Sequence, residues 1–480
     1  MTDSSLSLGL LALAGTLLLS ACNLGPHYVR PDIPAPPAWS PMTSEASSSQ
    51  PAPPVDMGWP DAQWWHGFGS AELDRLINQA QLANDDLKAA VARVQQSDAQ
   101  VRIAGAPLLP SLSAGFTPSR SRQIVPSAPG TTVTTNTFTA LLSAGYELDF
   151  WGKNAALRAA AVAQASGSRY DRDTVRLSVL ASVATTYFTA LSLRDRVNVA
   201  TVNLANARET LRGLQLEERV GTANALDVAQ QQSLVDNEDA AVPALQAQLS
   251  HNLAALAILL GVTPDKLQLR AGTLEEVAAP PVTTGLPAGL LVRRPDVASA
   301  EAQLVAANAN VRAARAAFLP TIQLTASGGL ESTALSTLLE PGSRIYDLTA
   351  GITQPLFEGG QLAGAYAQSK GRYQELLADY HKAVISAFDN TQDSLTQVQE
   401  TAEQLLRQER ATLSARRAYD FSQQQFHAGT INVLTVLATE TTLLTAQDTQ
   451  AQVRLAHLSA LVGLYQALGG GWDIHQEQVP

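Results

Sequence analysis

Val220-Gly221-Thr222-Ala223-Asn224-Ala225-Leu226-Asp227-Val228 returns later in the chain as Ala428-Gly429-Thr430-Ile431-Asn432-Val433-Leu434-Thr435-Val436. Upstream, Phe150-Trp151-Gly152 is matched by Phe357-Glu358-Gly359. Val101-Arg102 leading to Leu109-Pro110 is matched by Val311-Arg312 leading to Leu319-Pro320. The three pairs lie roughly 210 residues apart in the same order, a duplicated unit rather than a short solenoid period. Each copy is therefore read as one half of a single object.

The glycine of each Gly-Thr pair is a natural residue to end a helix. What it would end is unusual. From Lys153 to about Arg219, and again from Gln361 to about His427, there is no proline and little glycine. Each stretch would form a helix of roughly 100 Å, where globular helices average three to four turns. Within the second, Thr391, Leu395, Val398, Ala402 and Leu405 step as a heptad seam, small and partly polar. Asn224 and Asn432 then begin return helices of about forty residues, ending at Gly261-Val262-Thr263-Pro264 and at Gly469-Gly470-Gly471. Each long helix is expected to reverse at a tight tip into an antiparallel, half-length partner.

Ahead of each long helix the period changes to two. A helical pattern over 71 to 105 stops at Gly105-Ala106-Pro107. Leu112, Ala114 and Phe116 then alternate with small polar residues, and a Pro/Gly/Thr loop is expected at roughly 120 to 136. Phe138, Ala140, Leu142, Ala144, Tyr146 and Leu148 share the next apolar face, with Leu141 an exception on the polar one. In the second copy the apolar sets are Ile322, Leu324, Ala326, Leu330 and then Tyr346, Leu348, Ala350, Ile352. Such strands expose one face to apolar surroundings and one to water. A run of about nine to thirteen residues is the length of a tilted membrane strand.

Composition supports this reading. Only 5% of the 480 residues are aromatic, which suits long helices on narrow seams better than thick cores. The net charge of -11 without any Lys/Arg cluster argues against nucleic acid. The lone cysteine, Cys22, rules out a disulfide framework or thiolate metal site. It follows the leucine-rich stretch 6 to 19 as Leu19-Ser20-Ala21-Cys22, the pattern of a lipobox, although Asp3 stands where a basic leader is usual. Cys22 is expected to carry a covalent lipid and no other cofactor. Past Cys22 no run of 18 apolar residues occurs, so no transmembrane helix is expected. Residues 23 to 60, rich in proline and serine, read as an extended strap that ends at the anchors Trp64, Trp65 and Phe68.

Four strands per chain cannot close a barrel, and lipid does not tolerate an open sheet edge. Copies are needed, and long helices continuing from a closed barrel would form a water-filled cylinder. At this point the sequence resembles the TolC-type outer membrane factors, in the lipoprotein (NodT-like) branch of multidrug efflux channels. The resemblance rests on Cys22-Asn23-Leu24-Gly25-Pro26 with Tyr28 and Arg30-Pro31, and on Trp64-Trp65 with Phe68. It continues with Arg293-Arg294-Pro295-Asp296-Val297, Ala300-Glu301, Ala306-Ala307-Asn308-Ala309 and Phe318-Leu319-Pro320, and ends with the paired Gly-Thr turns. It implies an α+β membrane protein: a homotrimer with a twelve-stranded outer-membrane barrel, an equatorial mixed region and an antiparallel helical periplasmic tunnel. It also implies a passive, non-enzymatic efflux conduit in outer-membrane lipid, served by a periplasmic adaptor protein and an inner-membrane transporter. The expected organisation is a signal peptide over 1–21, a lipidated strap over 22–68, a first repeat over 69–264, a linker over 265–292, a second repeat over 293–471 and a tail over 472–480.

The tips around Gly221, Thr222, Gly429 and Thr430 are the expected adaptor contacts. In the resembled channels acidic residues after the second Gly-Thr turn close the tunnel, with a partner after the first. Here Asp227 stands in the first copy, but Thr435 and Ala438 replace the second-copy acids. Glu440 lies two residues further on, about 200° round a helix. Asp227 is thus the leading gate candidate and Glu440 the weaker one, with Leu434 and Leu437 available for apolar closure. Competing readings are a conduit for a secreted protein, metal ion or signalling molecule, and a structural coiled-coil surface protein. Seven histidines without an HxH or HExxH spacing, and no phosphate loop or nucleophile elbow, argue against an enzyme.

Overall fold

The computed structural model describes residues 28–36, 39, 59–124, 130–281 and 287–472. Cys22 and the leader lie outside them. The chain divides into two compact units, each assembled from both halves of the sequence.

The first unit comprises residues 1–32, 93–168 and 299–380. It holds one antiparallel sheet in the order β1 (Ser111–Ile124), β2 (Thr132–Leu148), β3 (Thr321–Ser332), β4 (Arg344–Thr353). Its register puts every expected apolar set on one face. Leu112, Ala144, Ala326 and Leu348 form one cross-strand row, and Ala114, Leu142, Gly328 and Tyr346 another. The rows between them are polar: Ser113, Ser143, Ser327, Asp347, and Ser111, Gly145, Thr325, Thr349. Because side chains alternate with period two, a one-residue slip anywhere would mix these faces.

The misfit Leu141 sits between Gly115 and Gly329, with Ile345 beyond. Glycine at 329 is required by space, since a Cβ there would lie 2.0 Å from the carbonyl oxygen of Ala140. The loop expected over 120 to 136 is shorter than anticipated, because β1 continues to Ile124 and β2 begins at Thr132. Threonine and arginine in that stretch pair well across the ladder, as Arg122 Nε donates to Thr132 Oγ1 at 3.0 Å.

The single helix expected over 71 to 105 is two, α1 (Ala71–Ala83) and α2 (Asp85–Gly105). Asn84 leaves the helical region at ψ 130°, and its Oδ1 accepts the Leu87 N–H at 3.0 Å while its Nδ2 donates to the Leu259 carbonyl at 2.9 Å. A short amide side chain that can cap beats continuation of the helix.

Two helices, α3 (Lys153–Arg219) and α4 (Ala225–Leu259), make the first hairpin, and after α5 (Pro295–Ala316) and the last two strands, α6 (Gln361–His427) and α7 (Val433–Ala467) make the second. Both long helices have 67 residues, and both return helices have 35 rather than about forty. The second unit contains the hairpin segments of residues 169–298 and 381–480 together with 33–92. Its core gathers Trp64, Trp65, Phe68, Leu73, Ile77, Val183, Phe188, Leu256, Leu461 and Tyr465. Trp64 stacks on Tyr465 with ring centroids 5.1 Å apart. The strap anchors are thus core residues. One 18-residue window of α3 reaches a mean hydropathy of 1.2, with half of it buried. Its Val179, Leu180, Val183, Phe188 and Leu191 supply this core, which accounts for the apolar stretch without lipid.

The seam of the second hairpin is as polar as its sequence suggests. Thr391 Oγ1 reaches the Ala467 carbonyl at 3.3 Å, Thr401 Oγ1 meets His457 Nδ1 at 3.1 Å, and Thr412 Oγ1 donates to the Ala446 carbonyl at 3.2 Å. Residue numbers rise on one helix as they fall on the other, which fixes the antiparallel register. Ala402 is the exception to the expected heptad; it is exposed, whereas Thr391 is buried and Leu395, Val398 and Leu405 are half-buried.

A buried arginine holds the end of α7. Arg294 grips Asp296 through Nε at 3.0 Å and Nη2 at 2.6 Å, and its Nη1 donates to the Ala467 carbonyl at 3.1 Å. Helix ends leave carbonyls without partners, and a cation there satisfies both the lone pairs and the dipole.

Candidate functional site

The two hairpin tips are built alike. Gly221 and Gly429 have φ of +78° and +71°. The N–H of Gly221 donates to the Glu218 carbonyl at 3.0 Å and that of Thr222 to the Glu217 carbonyl at 2.9 Å. In the second hairpin Gly429 donates to Phe426 at 2.9 Å and Thr430 to Gln425 at 3.0 Å. This paired pattern is a Schellman cap. The threonines add a bond that the sequence reading missed. The Thr222 hydroxyl donates again to the Glu217 carbonyl at 3.0 Å, and the Thr430 hydroxyl to Gln425 at 2.9 Å. A hydroxyl at the residue after the αL glycine is the signal that could have revealed it.

Asparagine then opens each return helix. Asn224 Oδ1 accepts the Asp227 N–H at 3.0 Å, and Asp227 Oδ2 accepts the Asn224 N–H at 3.3 Å, a reciprocal capping box. Asn432 Oδ1 accepts both the N–H of Thr435 at 3.3 Å and its hydroxyl at 3.1 Å. Asp227 and Thr435 therefore hold equivalent places, but only Asp227 returns a bond to its N-cap backbone, while Thr435 donates to its cap. One Asp227 oxygen is committed to the cap, and the side chain remains half-exposed. Leu434, Thr435 and Ala438 are exposed, as are Gly221, Thr222, Gly429 and Thr430, while Leu437 is half-buried.

Glu440 departs from this group. It is only 3% exposed, and its Oε2 has no hydrogen-bond partner. Burial first, and the carboxylate of Glu238 second, push its pKa up to about 7. Tyr419 of α6 is in turn pushed up to about 12, by burial and then by Glu440. The structure therefore separates the acidic gate candidates, Asp227 at the first tip and Glu440 enclosed in the second hairpin. Glu238 and Tyr419 were not visible as its neighbours, because they come from two other helices. Among the described residues no cluster of three His, Cys, Asp or Glu could hold a metal ion.

The sequence model of the outer membrane efflux protein family matches residues 76–262 and 286–470. The chain belongs to that family. It is 41% identical over 468 residues to the pyoverdine export outer membrane protein OpmQ of Pseudomonas aeruginosa, covering 96% of each chain. It is 32% identical to the toluene efflux pump outer membrane protein TtgF of Pseudomonas putida, covering 96% of this chain and 97% of the relative. Its fold is that of the Campylobacter jejuni CmeC outer membrane channel, with a TM-score of 0.86 at 24% identity over 94% of this chain and 96% of that one. The chain is thus an outer-membrane efflux channel protein, of a family of channels rather than enzymes.

Proposed function

We propose that this efflux channel is the passive outer-membrane part of a three-component export system. The observation that carries the reading is the register itself, which gathers four strands' apolar residues onto one face. β1 and β4 are the outer strands of the sheet. Open edges are not tolerated in lipid, so closure calls for further copies. Two would leave side chains filling the bore, and four would give a porin-sized opening. Three copies give the twelve-stranded barrel, continued into the periplasm by a helical tunnel. Exposed Phe150, Leu356 and Phe357, just beyond β2 and β4, suit an interfacial aromatic girdle. The equal helix lengths in the two hairpins support reading 69–264 and 293–471 as duplicated units. Lipidation at Cys22 adds an anchor.

The tips meet a periplasmic adaptor, which couples the tunnel to an inner-membrane transporter. Their small exposed residues permit close helical packing. The relative with 41% identity is named for pyoverdine export, which makes a secreted siderophore-type molecule the favoured cargo, with hydrophobic solvents second. The test is export by a strain lacking the channel, complemented with wild type or with Gly429→Val. A Cβ at 429 meets nothing within 4 Å, so only the positive φ opposes it, a cost of about 1–2 kcal/mol confined to the tip. Siderophore secretion is expected to fall severalfold with normal amounts of folded channel. Wild-type secretion from Gly429→Val would remove the tips from the coupling, and an unfolded product would make the turn purely structural.

Asp227 is read as a ring of three carboxylates near the tunnel's end, favouring cations. Asp227→Ala also loses a cap, at about 1 kcal/mol, and is expected to raise planar-bilayer conductance and weaken cation preference. Unchanged conductance and selectivity would leave closure to Leu434 and Leu437.

A further inference from the structure

Glu440 is a buried carboxylate that the channel reading does not use. It lies seven residues into α7, roughly 10 Å from the start of that helix. The seam around it joins three helices. On one side Ser422 Oγ of α6 meets Thr439 Oγ1 at 2.6 Å. On the other, α7 packs against α4, which carries Glu238. Glu440 Oε2 finds no partner in this seam. The nearby polar groups are already engaged: Gln423 Nε2 donates to the Tyr419 hydroxyl at 2.6 Å, and Asp448 is held by Arg196 at 2.6 Å.

We propose that Glu440, facing Glu238 between α7 and α4, is a proton-sensitive latch that holds the two hairpins together while it is protonated and loosens them when it ionises. An unpartnered, enclosed carboxyl is tolerable as a neutral acid but not as an anion beside a second carboxylate. The charged and titratable groups around the pair are known for each packed element. From α4 comes Glu238, itself shifted upward by burial and then by Asp448. From α6 comes Tyr419, which stays neutral, with Asp420 beside it. From α3 comes Arg196, whose charge is taken up by Asp448. The two influences on Glu440, burial and Glu238, act in the same direction.

The sign follows from linkage. A carboxyl whose folded pKa is raised binds its proton more tightly in the closed seam than in the opened one. Its contribution is complete at acid pH and is lost as pH rises from the ordinary carboxylate range through about 7. The seam therefore loosens as pH rises through about 7. That this reaches the tunnel's opening rests on the tip-gated channel reading above.

Hydrogen–deuterium exchange of the full-length, detergent-solubilised channel tests the latch directly. Peptides covering 430–445 and 228–245 are followed at pH 5.5 and 8.5, corrected for intrinsic exchange. Wild type should lose protection on the order of tenfold or more at the higher pH. Glu440→Gln, a neutral isostere, should hold its protection at both. Glu238→Gln removes the facing charge, so Glu440 ionises more easily and the midpoint of the transition should move to lower pH. Equal pH dependence in wild type and Glu440→Gln overturns the proposal, as does an unshifted transition in Glu238→Gln. Bilayer conductance over the same range separates the two readings: exchange that follows pH while conductance does not leaves the latch standing and sinks its link to the gate.

Discussion

Gly469→Ala is expected to deprive the channel of its folded state, whereas Gly359→Ala is expected to leave it nearly unaffected. Both glycines have positive φ, +84° and +60°. An L-residue pays about 1–2 kcal/mol for that conformation at either site. The difference lies in the surroundings. At Gly359 a Cβ meets nothing within 4 Å, but at Gly469 it would sit 1.9 Å from the Arg293 carbonyl oxygen. Relief requires moving the segment that carries Arg294, whose guanidinium holds the Ala467 carbonyl two residues before this glycine. Thr391 converges on the same carbonyl. Overpacking against backbone, with loss of a buried charge-assisted bond, brings the total to roughly 3–5 kcal/mol. That is a large share of the stability of an ordinary domain. The measurement is the yield of protease-resistant, heat-modifiable channel in purified outer membranes. Equal yields from the two variants would show that the close approach at Gly469 does not constrain the side chain there, and that the Arg294 clamp tolerates displacement.

The duplicated Gly-Thr turns and the alternating strands were legible because each depends on local rules. A positive-φ glycine ends a helix wherever it falls, and a period of two names the two faces of a strand before the partner is known. The register was not legible: a slip by two residues keeps the faces, and only the fold puts Leu112, Ala144, Ala326 and Leu348 in one row. What escaped the sequence depends on distant partners. Asn84 breaks a helix partly because its amide reaches Leu259, 175 residues away. Arg294 stood out as part of a motif, but its task at the end of α7 required the fold. Glu440 looked like a weak gate candidate on a solvated helix. Its enclosure comes from α4 and α6 together, and no periodicity within α7 could announce it.

Leu348→Arg should block insertion of the channel, and Thr349→Arg, one residue on, should not. The two residues are neighbours on β4 but lie on opposite faces. Leu348 ends the apolar row through Leu112, Ala144 and Ala326, and it is 75% exposed in the single chain. Thr349 ends the polar row through Ser111, Gly145 and Thr325. β4 has ten residues, about the length needed to cross the hydrocarbon when tilted. Leu348 is near its middle, where an arginine on the lipid face costs about 2–4 kcal/mol. In an assembly of three copies that cost is incurred three times, at equivalent depths around one barrel. On the proposed barrel an arginine at 349 would project into the water-filled bore, where it changes selectivity and adds little to the cost of folding. The comparison is made by detergent extraction and heat-modifiable migration of each variant from outer membranes. Loss with Thr349→Arg and survival with Leu348→Arg would reverse the assignment of faces. Survival of both would mean that the apolar row does not meet lipid, and the barrel reading would fall with it.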